Sequence, residues 1–490
     1  MFGYLSRNDF KDTWCVYWLA AEDSSFSSHS DYFDSIQELD DLEENQFSSS
    51  CLDCLDVITV FLLLLRLQSK LIFDIYPDKG IFYELKYLIA KVLLQHLRYK
   101  FYYKNEGGLN SPESFEIHDQ PQVLDEHPKS YDVISFMAAN INGQKLLINL
   151  ERRRRGIMKV CFYLWLPEYG LLALPKLPDM LHFTTDGNTE SEEFKGIGFH
   201  IYPEEPMIRW RIKYEGLLKQ LDEGNKLLQV KLNLIFKSTG KYFNYNRDLS
   251  LAVIADSLAR EAWNEGFYTM LKNVDKVLQK RLHYEQNGQL TGSLEIYEKT
   301  DKLPGNIPLT LSGFRDHSFG TERCLSTINR YVYVALFLED GSSMVVGILS
   351  QPSFFLSSLK VGYICSKDGD YKPITACNFE LYSYGEKGIP PRHQNFIVYT
   401  VDNDYFVQIK VQDSTERYAG GNWEAKIYNQ FVACCINGRH GHGITEYLYR
   451  HKGGRPEEAS YSDPEWYKRV RKFEDDIEDF EQNELNSFSP

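Results

Sequence analysis

The amino-acid sequence predicts a mainly β protein, in which two antiparallel β-barrels are joined by a helical connector and preceded by a helical extension. Residues 228–237 alternate between apolar and polar side chains, which is typical of a half-buried strand. Two apolar runs flank Asp340-Gly341, a dipeptide that favours a tight hairpin turn. Apolar residues recur at steps of three and four between 249 and 282, which predicts helices between two strand-rich regions. Two β-sandwiches would also fit this order, but closed barrels leave no exposed sheet edges.

Changes in composition divide the chain into six segments. The N-terminal segment is rich in Ser, Asp and Glu and is predicted to be largely disordered. The predicted segments are 1–56 (acidic), 57–108 (helical extension), 109–248 (first barrel), 249–285 (helical connector), 286–455 (second barrel) and 456–490 (acidic tail).

The bulk composition restricts the partners and the compartment. The chain has 490 residues and a net charge of −15, which argues against nucleic acid because phosphate binding requires a basic surface. Its nine cysteines are an odd number, and residues 1–12 lack the basic and apolar regions of a secretion signal. We therefore predict a cytoplasmic protein with free thiols. No metal is predicted, because Cys51 and Cys54 have no second pair and His440 and His442 have no third ligand at a defined spacing. No cofactor is predicted, because the glycine-rich loop at 418–423 is not followed by the helix that a dinucleotide site needs.

Residues 57–104 are predicted to contain two helices. The run from Val57 to Leu65 is apolar over nine residues, whereas a transmembrane helix needs about 20. No membrane span is therefore predicted. We expect these helices to pack in a core, and peripheral contact with a membrane surface is the alternative.

The densest group of polar residues lies in Ser312–Arg323, which reads SGFRDHSFGTER. Three ionisable residues and a serine stand between two glycines and beside aromatic residues, so some of them are expected to be buried. A buried charge is costly unless it is paired. The motif is therefore either a structural staple or a functional site.

The spacing within this motif argues against a catalytic triad. On an extended strand Arg315, His317 and Phe319 share one face, and Asp316 and Ser318 share the other. A Ser-His-Asp relay requires the histidine to reach both partners, which neighbours on opposite faces cannot do.

Two interpretations of the motif remain. In the structural one, Arg315 pairs with Glu446 or Glu322, and Asp316 caps a turn. In the functional one, one face of the strand lines the mouth of a barrel, with Asp316 and His317 as acid–base catalysts. The residues expected to contact the ligand are then Arg315, Ser318, Arg323 and Glu446.

A basic run, Arg152–Arg155, follows Glu151 and precedes a predicted strand. We expect a solvated strand end that faces an acidic segment. A docking surface for a protein partner and a site for an anionic ligand are the alternatives.

Residues 286–323 resemble a known family. They contain Gly292-Ser-Leu-Glu-Ile and then Gly313-Phe-Arg-Asp-His-Ser-Phe-Gly-Thr-Glu-Arg323, followed by the predicted hairpin. This pattern is similar to that of the two-barrel, lipocalin-like proteins related to carotenoid hydratases, although Phe319 stands where tryptophan is usual. The resemblance implies lipocalin-like barrels that handle apolar small molecules without a redox cofactor.

Residues 60–455 also resemble the N-terminal region of animal phosphoenolpyruvate-synthase-like and rifampicin-phosphotransferase-like proteins. The matching stretches include Glu151-Arg-Arg-Arg-Arg155, Arg209-Trp-Arg-Ile212, Ser257-Leu-Ala-Arg-Glu-Ala-Trp263 and Gly443-Ile-Thr-Glu446. Those proteins continue into ATP-binding and phosphohistidine domains, which the present sequence does not reach. The resemblance therefore implies an accessory part that is not a phosphotransferase by itself.

The leading functional hypothesis is binding of a hydrophobic small molecule, such as a terpenoid, a lipid or a polyketide, in a barrel cavity rich in Tyr and Phe. A cofactor-independent lyase, hydratase or isomerase activity would use Asp316 or His317. The alternative hypothesis is a non-catalytic interaction or regulatory module, which would dock through Arg152–Arg155 or the acidic tails.

Overall fold

A computed structural model describes residues 63–67, 69–103, 115–183, 192–279, 281–297, 305–323, 325–420, 422–452 and 454–456. The predicted acidic segment 1–56 and residues 457–490 of the predicted tail lie outside these ranges. Residues 63–65 are helical, and two short strands and two helices follow them: β1 (Leu71–Ile72), β2 (Tyr76–Pro77), α1 (Tyr83–Tyr103) and α2 (Phe115–His118).

The first large sheet contains twelve antiparallel strands. In chain order they are β3 (Tyr131–Ala139), β4 (Lys145–Arg153), β5 (Ile157–Leu166), β6 (Gly170–Ala173), β7 (Leu181–Phe183), β8 (Phe194–Gly196), β9 (Phe199–Glu205), β10 (Arg209–Gln220), β11 (Lys226–Ser238), β12 (Phe243–Asn244), β13 (Arg281–Tyr297) and β14 (Gly305–Gly320). Eight of these strands close into a barrel in the order β11-β13-β14-β3-β4-β5-β6-β10, because β10 also pairs with β11.

The second large sheet contains nine antiparallel strands. They are β15 (Arg330–Leu338), β16 (Ser343–Gln351), β17 (Leu356–Cys365), β18 (Tyr371–Pro373), β19 (Ala376–Cys377), β20 (His393–Tyr399), β21 (Asp404–Ala419), β22 (Ala425–Ile436) and β23 (Arg439–Arg450). Their order is β18-β17-β16-β15-β23-β22-β21-β20-β19, and its two ends do not pair in the described part of the chain. This sheet is a half-barrel, and the predicted mainly β fold is confirmed.

Three helices lie between the strands β12 and β13, where the connector is predicted: α3 (Tyr245–Asp248), α4 (Leu251–Arg260) and α5 (Glu265–Gln279). The side chain of Ser250 caps the start of α4 by accepting a hydrogen bond from the backbone N–H of Ala252. An apolar cluster joins α1 to the connector and consists of Leu65, Ala90, Ala255, Leu258, Trp263 and Phe267.

Two further expectations concern the described residues. None of the helices within the described ranges combines the length and the apolar character that are needed to cross a membrane. The cysteines in these ranges are free thiols, as predicted, and they are Cys161, Cys365, Cys377, Cys434 and Cys435.

The closed barrel takes in more of the chain than the sequence predicts. The strand β14 pairs with β3 over nine residues, and β13 pairs with both β11 and β14. Residues 281–297 and 305–320 therefore complete the first barrel, whereas the sequence analysis assigns 286–455 to the second. The reason is that residues 109–248 supply six strands of the ring, which would leave the edges of β3 and β11 open.

Gly313 marks a close approach between β14 and β3. A Cβ atom at this position would lie 2.5 Å from the Cβ of Ala138 and 2.5 Å from the carbonyl oxygen of Met137. We expect Gly313→Ala to lower the free energy of unfolding by about 1–3 kcal/mol, because neither strand can yield without breaking the ladder. Urea denaturation measures this effect. The control is Gly305→Ala on the same strand, where a Cβ meets nothing within 4 Å; equal losses in both variants would contradict the expectation.

The interior of the closed barrel is filled by side chains. Phe136, Phe162 and Trp210 are completely buried in one large cluster. Phe337 and Phe431 of the second sheet belong to the same cluster. The second sheet therefore packs against the outside of the barrel, and the outward-facing residues of β13 and β14 lie between the two sheets.

Candidate functional site

The motif on β14 divides between two faces, as its alternation predicts. The side chains of Arg315 and His317 are 0% exposed and point into the barrel, beside the buried Phe319 of the same face. Asp316 and Ser318 point outward, towards the second sheet, and the side chain of Asp316 is 23% exposed. A single strand thus contributes to two separate polar clusters.

Arg315 is part of a staple inside the barrel. Its guanidinium group lies 2.5 Å from a carboxylate oxygen of Asp119, next to helix α2, and 4.9 Å from the ring centre of Trp210. The indole N–H of Trp210 donates to the same carboxylate at 2.9 Å, and Gln286 accepts from Arg315. The predicted partners Glu446 and Glu322 were wrong, because both belong to strands or turns outside the barrel interior.

His317 is enclosed by the same interior cluster. Its Nε2 atom lies 2.8 Å from Asp132 and its Nδ1 atom 3.2 Å from the hydroxyl of Tyr284. The other carboxylate oxygen of Asp132 accepts from Arg152 at 2.8 Å. Since His317 has no accessible surface, a ligand cannot reach it without a rearrangement of the barrel.

The basic run beside this cluster is not a solvated strand end. The side chains of Arg152 and Arg153 are buried, where Arg152 pairs with Asp132 and Arg153 with Glu151 at 2.5 Å. Arg154 donates to the carbonyl oxygen of Asp125 at 2.8 Å. Arg152 and Arg153 therefore do not belong to the predicted docking surface, because their guanidinium groups are buried and paired with carboxylates.

The outward face of β14 brings Asp316 to His283, a residue that is not among the predicted site residues. Glu285 of β13 stands directly opposite Asp316, and His283 stands opposite Ser318. The Nε2 atom of His283 lies 3.2 Å from Asp316 and 3.8 Å from Glu285. Pairing β13 against β14 in the correct register would have revealed this contact, since all these residues alternate onto one face.

Glu285 is completely buried and accepts hydrogen bonds from three tyrosine hydroxyl groups. They are Tyr245 at 3.1 Å, Tyr333 at 2.5 Å and Tyr363 at 2.6 Å. Burial and then the charge of Asp316 raise the pKa of Glu285 to about 7. Burial opposes protonation of His283, but Asp316 outweighs it and raises the pKa of the imidazole.

The remaining predicted ligand contacts also lie between the sheets. Arg323 lies 3.3 Å from Glu151 of the barrel. On the second sheet, Glu446 is buried and accepts from Arg417 at 2.6 Å and from the hydroxyl of Tyr331 at 3.1 Å. Of the predicted site residues, this inter-sheet region therefore holds Asp316, Ser318, Arg323 and Glu446, whereas Arg315 and His317 lie inside the barrel.

The inter-sheet region is not tightly packed around its charged side chains. The side chains of His283 and Arg323 are 36% and 35% exposed, and that of Asp316 is 23% exposed. The second sheet contributes Tyr331 and Tyr333, whose hydroxyl groups donate to Glu446 and Glu285. We call this group of residues, with Ser318, the inter-sheet site.

The fold and this site define a two-sheet β protein, with a closed eight-stranded barrel, a half-barrel and a polar site between them. Residues 54–449 match a family of unknown function, DUF8627, and the chain belongs to this family. No curated protein matches the sequence.

Several solved structures are similar to this chain. A protein assigned as AttH from Nitrosomonas europaea is 13% identical with a TM-score of 0.45, over 71% of this chain and 98% of that one. Kievitone hydratase from Nectria haematococca is 10% identical with a TM-score of 0.38, over 65% and 88%. CghA is 11% identical with a TM-score of 0.38, over 69% and 95%. At this level of similarity none of these matches carries a functional argument, and none supports the predicted relation to phosphoenolpyruvate-synthase-like proteins.

Proposed function

We propose that this protein binds a largely apolar small molecule in the inter-sheet site. The observation that carries this proposal is the accessible surface that His283, Asp316 and Arg323 keep where the barrel meets the second sheet. Sites for small molecules are typically concave, with aromatic walls and a few convergent polar groups. A terpenoid, a lipid or a polyketide with one polar end would match this combination.

The filled interior of the closed barrel supports the choice of the inter-sheet site. Large side chains such as Trp210 and Phe162 occupy the barrel, and the ion pair of Arg315 and Asp119 is enclosed beside them. A ligand in the barrel would have to displace these groups. Between the sheets, by contrast, a ligand would meet side chains that already have accessible surface.

The chemical character of the site indicates how a ligand would be oriented. Arg323 offers a guanidinium group for an acidic or carbonyl oxygen, and Ser318 offers a hydroxyl group. The phenol rings of Tyr331 and Tyr333 present flat apolar surfaces, while Glu446 and Glu285 hold their hydroxyl groups in place. The polar end of the ligand would thus face β14 and its apolar part the second sheet.

Blocking the site tests this proposal. We expect Ser318→Phe to weaken the binding of the apolar fluorescent probe anilinonaphthalene sulfonate at least about tenfold, since the added ring occupies the accessible space. Mass spectrometry of extracts should show that a co-purified apolar molecule is lost in parallel.

The matched control is Thr310→Phe, which adds the same ring to an exposed position on the same face of β14. This variant should bind the probe like the unmodified protein. Unchanged probe binding in Ser318→Phe, with an unchanged unfolding midpoint, would place the ligand elsewhere and overturn the proposal.

A further inference from the structure

We propose that His283, Glu285 and Asp316 form a binding site for one divalent transition-metal ion. Each residue offers one ligand atom, and these three atoms all lie within 4.8 Å of one another. The shortest separation joins His283 Nε2 to Asp316 Oδ1 at 3.2 Å, and Nε2 lies 3.8 Å from Glu285 Oε1. Ligand atoms around a tetrahedral ion with bonds of about 2.1 Å are about 3.4 Å apart, so the two separations bracket this value.

Two of the three ligand atoms have no hydrogen-bond partner. His283 Nε2 and Asp316 Oδ1 are both buried, and neither makes a hydrogen bond to any residue that the structure describes. They lie 3.2 Å apart and form an ion pair when the imidazole is protonated, although the angle falls short of a good hydrogen bond. An unsatisfied buried polar atom costs about 1–3 kcal/mol. A cation placed between these atoms would satisfy both of them.

The charges of the site also call for a cation. Glu285 and Asp316 are directly opposite each other on neighbouring strands, an arrangement that is destabilising for like charges. Arg315, next to Asp316 in the chain, points into the barrel and pairs with Asp119, while Arg323, Arg153 and Lys159 are paired with Glu151. A divalent ion would compensate both carboxylates at once.

The surroundings hold the three ligands in place. Tyr333 and Tyr363 donate to Glu285 from the second sheet and so fix the orientation of its carboxylate. The imidazole ring of His283 stacks on Tyr245 with ring centres 4.3 Å apart and an angle of 8° between the planes. Partners that orient metal ligands in this way raise metal affinity and are typical of metal sites.

One nitrogen and two oxygen donors restrict the kind of metal. An imidazole with two carboxylates suits Zn²⁺, Mn²⁺ or Fe²⁺, whereas Cu(I) prefers sulfur and Ca²⁺ prefers an all-oxygen set. Three protein ligands leave at least one coordination position open. Because His283 and Asp316 belong to the inter-sheet site, the open position would lie there, and the inference rests on the proposed function in placing the ion beside the ligand.

Metal binding to the chelator-treated protein tests the inference directly. We expect calorimetric titration with Mn²⁺ to show one ion per chain, and Mn²⁺ is chosen because thiolates such as those of the nine cysteines bind it poorly. Asp316→Asn and His283→Gln should each weaken binding at least about 100-fold. Mn²⁺ should also raise the unfolding midpoint of the unmodified protein and leave both variants unchanged.

A matched control uses the exposed pair of His200 and Glu193, whose atoms lie 3.5 Å apart and whose histidine is 35% exposed. His200→Gln should bind Mn²⁺ like the unmodified protein. The inference is overturned if the unmodified protein binds no Mn²⁺, or if folded Asp316→Asn and His283→Gln bind it unchanged. Titration of the metal-free protein with anilinonaphthalene sulfonate separates the two proposals. If the protein binds the probe but not Mn²⁺, only the metal site is refuted. If it binds Mn²⁺ but not the probe, only the ligand site is refuted.

Discussion

Replacing Arg315 with methionine is expected to lower the free energy of unfolding by about 3–5 kcal/mol. The carboxylate of Asp119 would then remain in the barrel without its cation and 0% exposed. The hydrogen bonds from Trp210 and from the backbone N–H of Met207 would not compensate its charge. Urea denaturation at neutral pH measures the loss.

An exposed ion pair provides the control for this prediction. Arg439 and Asp340 lie 2.5 Å apart on the surface, with side chains 47% and 36% exposed. Arg439→Met should cost no more than about 1 kcal/mol, because water compensates the remaining charge. If Arg315→Met were no more destabilising than Arg439→Met, the interior cluster would not be a structural staple.

Replacing Glu151 with glutamine is expected to have an effect of the same size, about 3–5 kcal/mol at pH 7. Glu151 is the shared counter-ion of Arg153, Lys159 and Arg323 at 2.5, 3.1 and 3.3 Å. The variant keeps the shape of the side chain but leaves three cations close together at the junction of the two sheets. Chemical denaturation of the variant and of the unmodified protein gives the difference.

The pH dependence of this difference supplies an independent check. Burial alone would raise the pKa of Glu151, but the three cations outweigh it and hold the pKa well below its usual range. A carboxyl group with a depressed folded-state pKa contributes its stability above the unfolded-state pKa, about 4.5, and loses it as the pH falls towards the folded-state value. The gap between the two proteins should therefore narrow below about pH 4.5. A gap that stays constant down to pH 3 would contradict this account.

The faces of the β14 motif could be predicted from sequence, but the partners of its residues could not. Alternation alone separates Arg315 and His317 from Asp316, and the structure shows this separation. The counter-ion of Arg315 comes instead from Asp119, in a segment distant in sequence that lies against the barrel. No local pattern indicates which distant carboxylate a buried arginine will meet.

The contact of Asp316 with His283 could be predicted only in part. Both residues belong to adjacent strands, and their meeting depends on the register of β13 against β14. A shift of one residue would turn His283 and Glu285 into the barrel and leave Asp316 facing other residues. The register is specified by the burial of the whole face that β13 and β14 share. The sequence of a single strand does not show which residues of that face will be buried.

The sequence by itself determined the features that depend on neighbours along the chain: the alternation of strands, the hairpin at Asp340-Gly341 and the helical connector. These follow from periodicity and turn chemistry, which act over a few residues. Only the tertiary structure decided that β13 and β14 close the first barrel, and hence which charges meet inside it and between the sheets. The physical reason is that closure depends on covering the open edges of β3 and β11, and these edges exist only once the distant strands have come together.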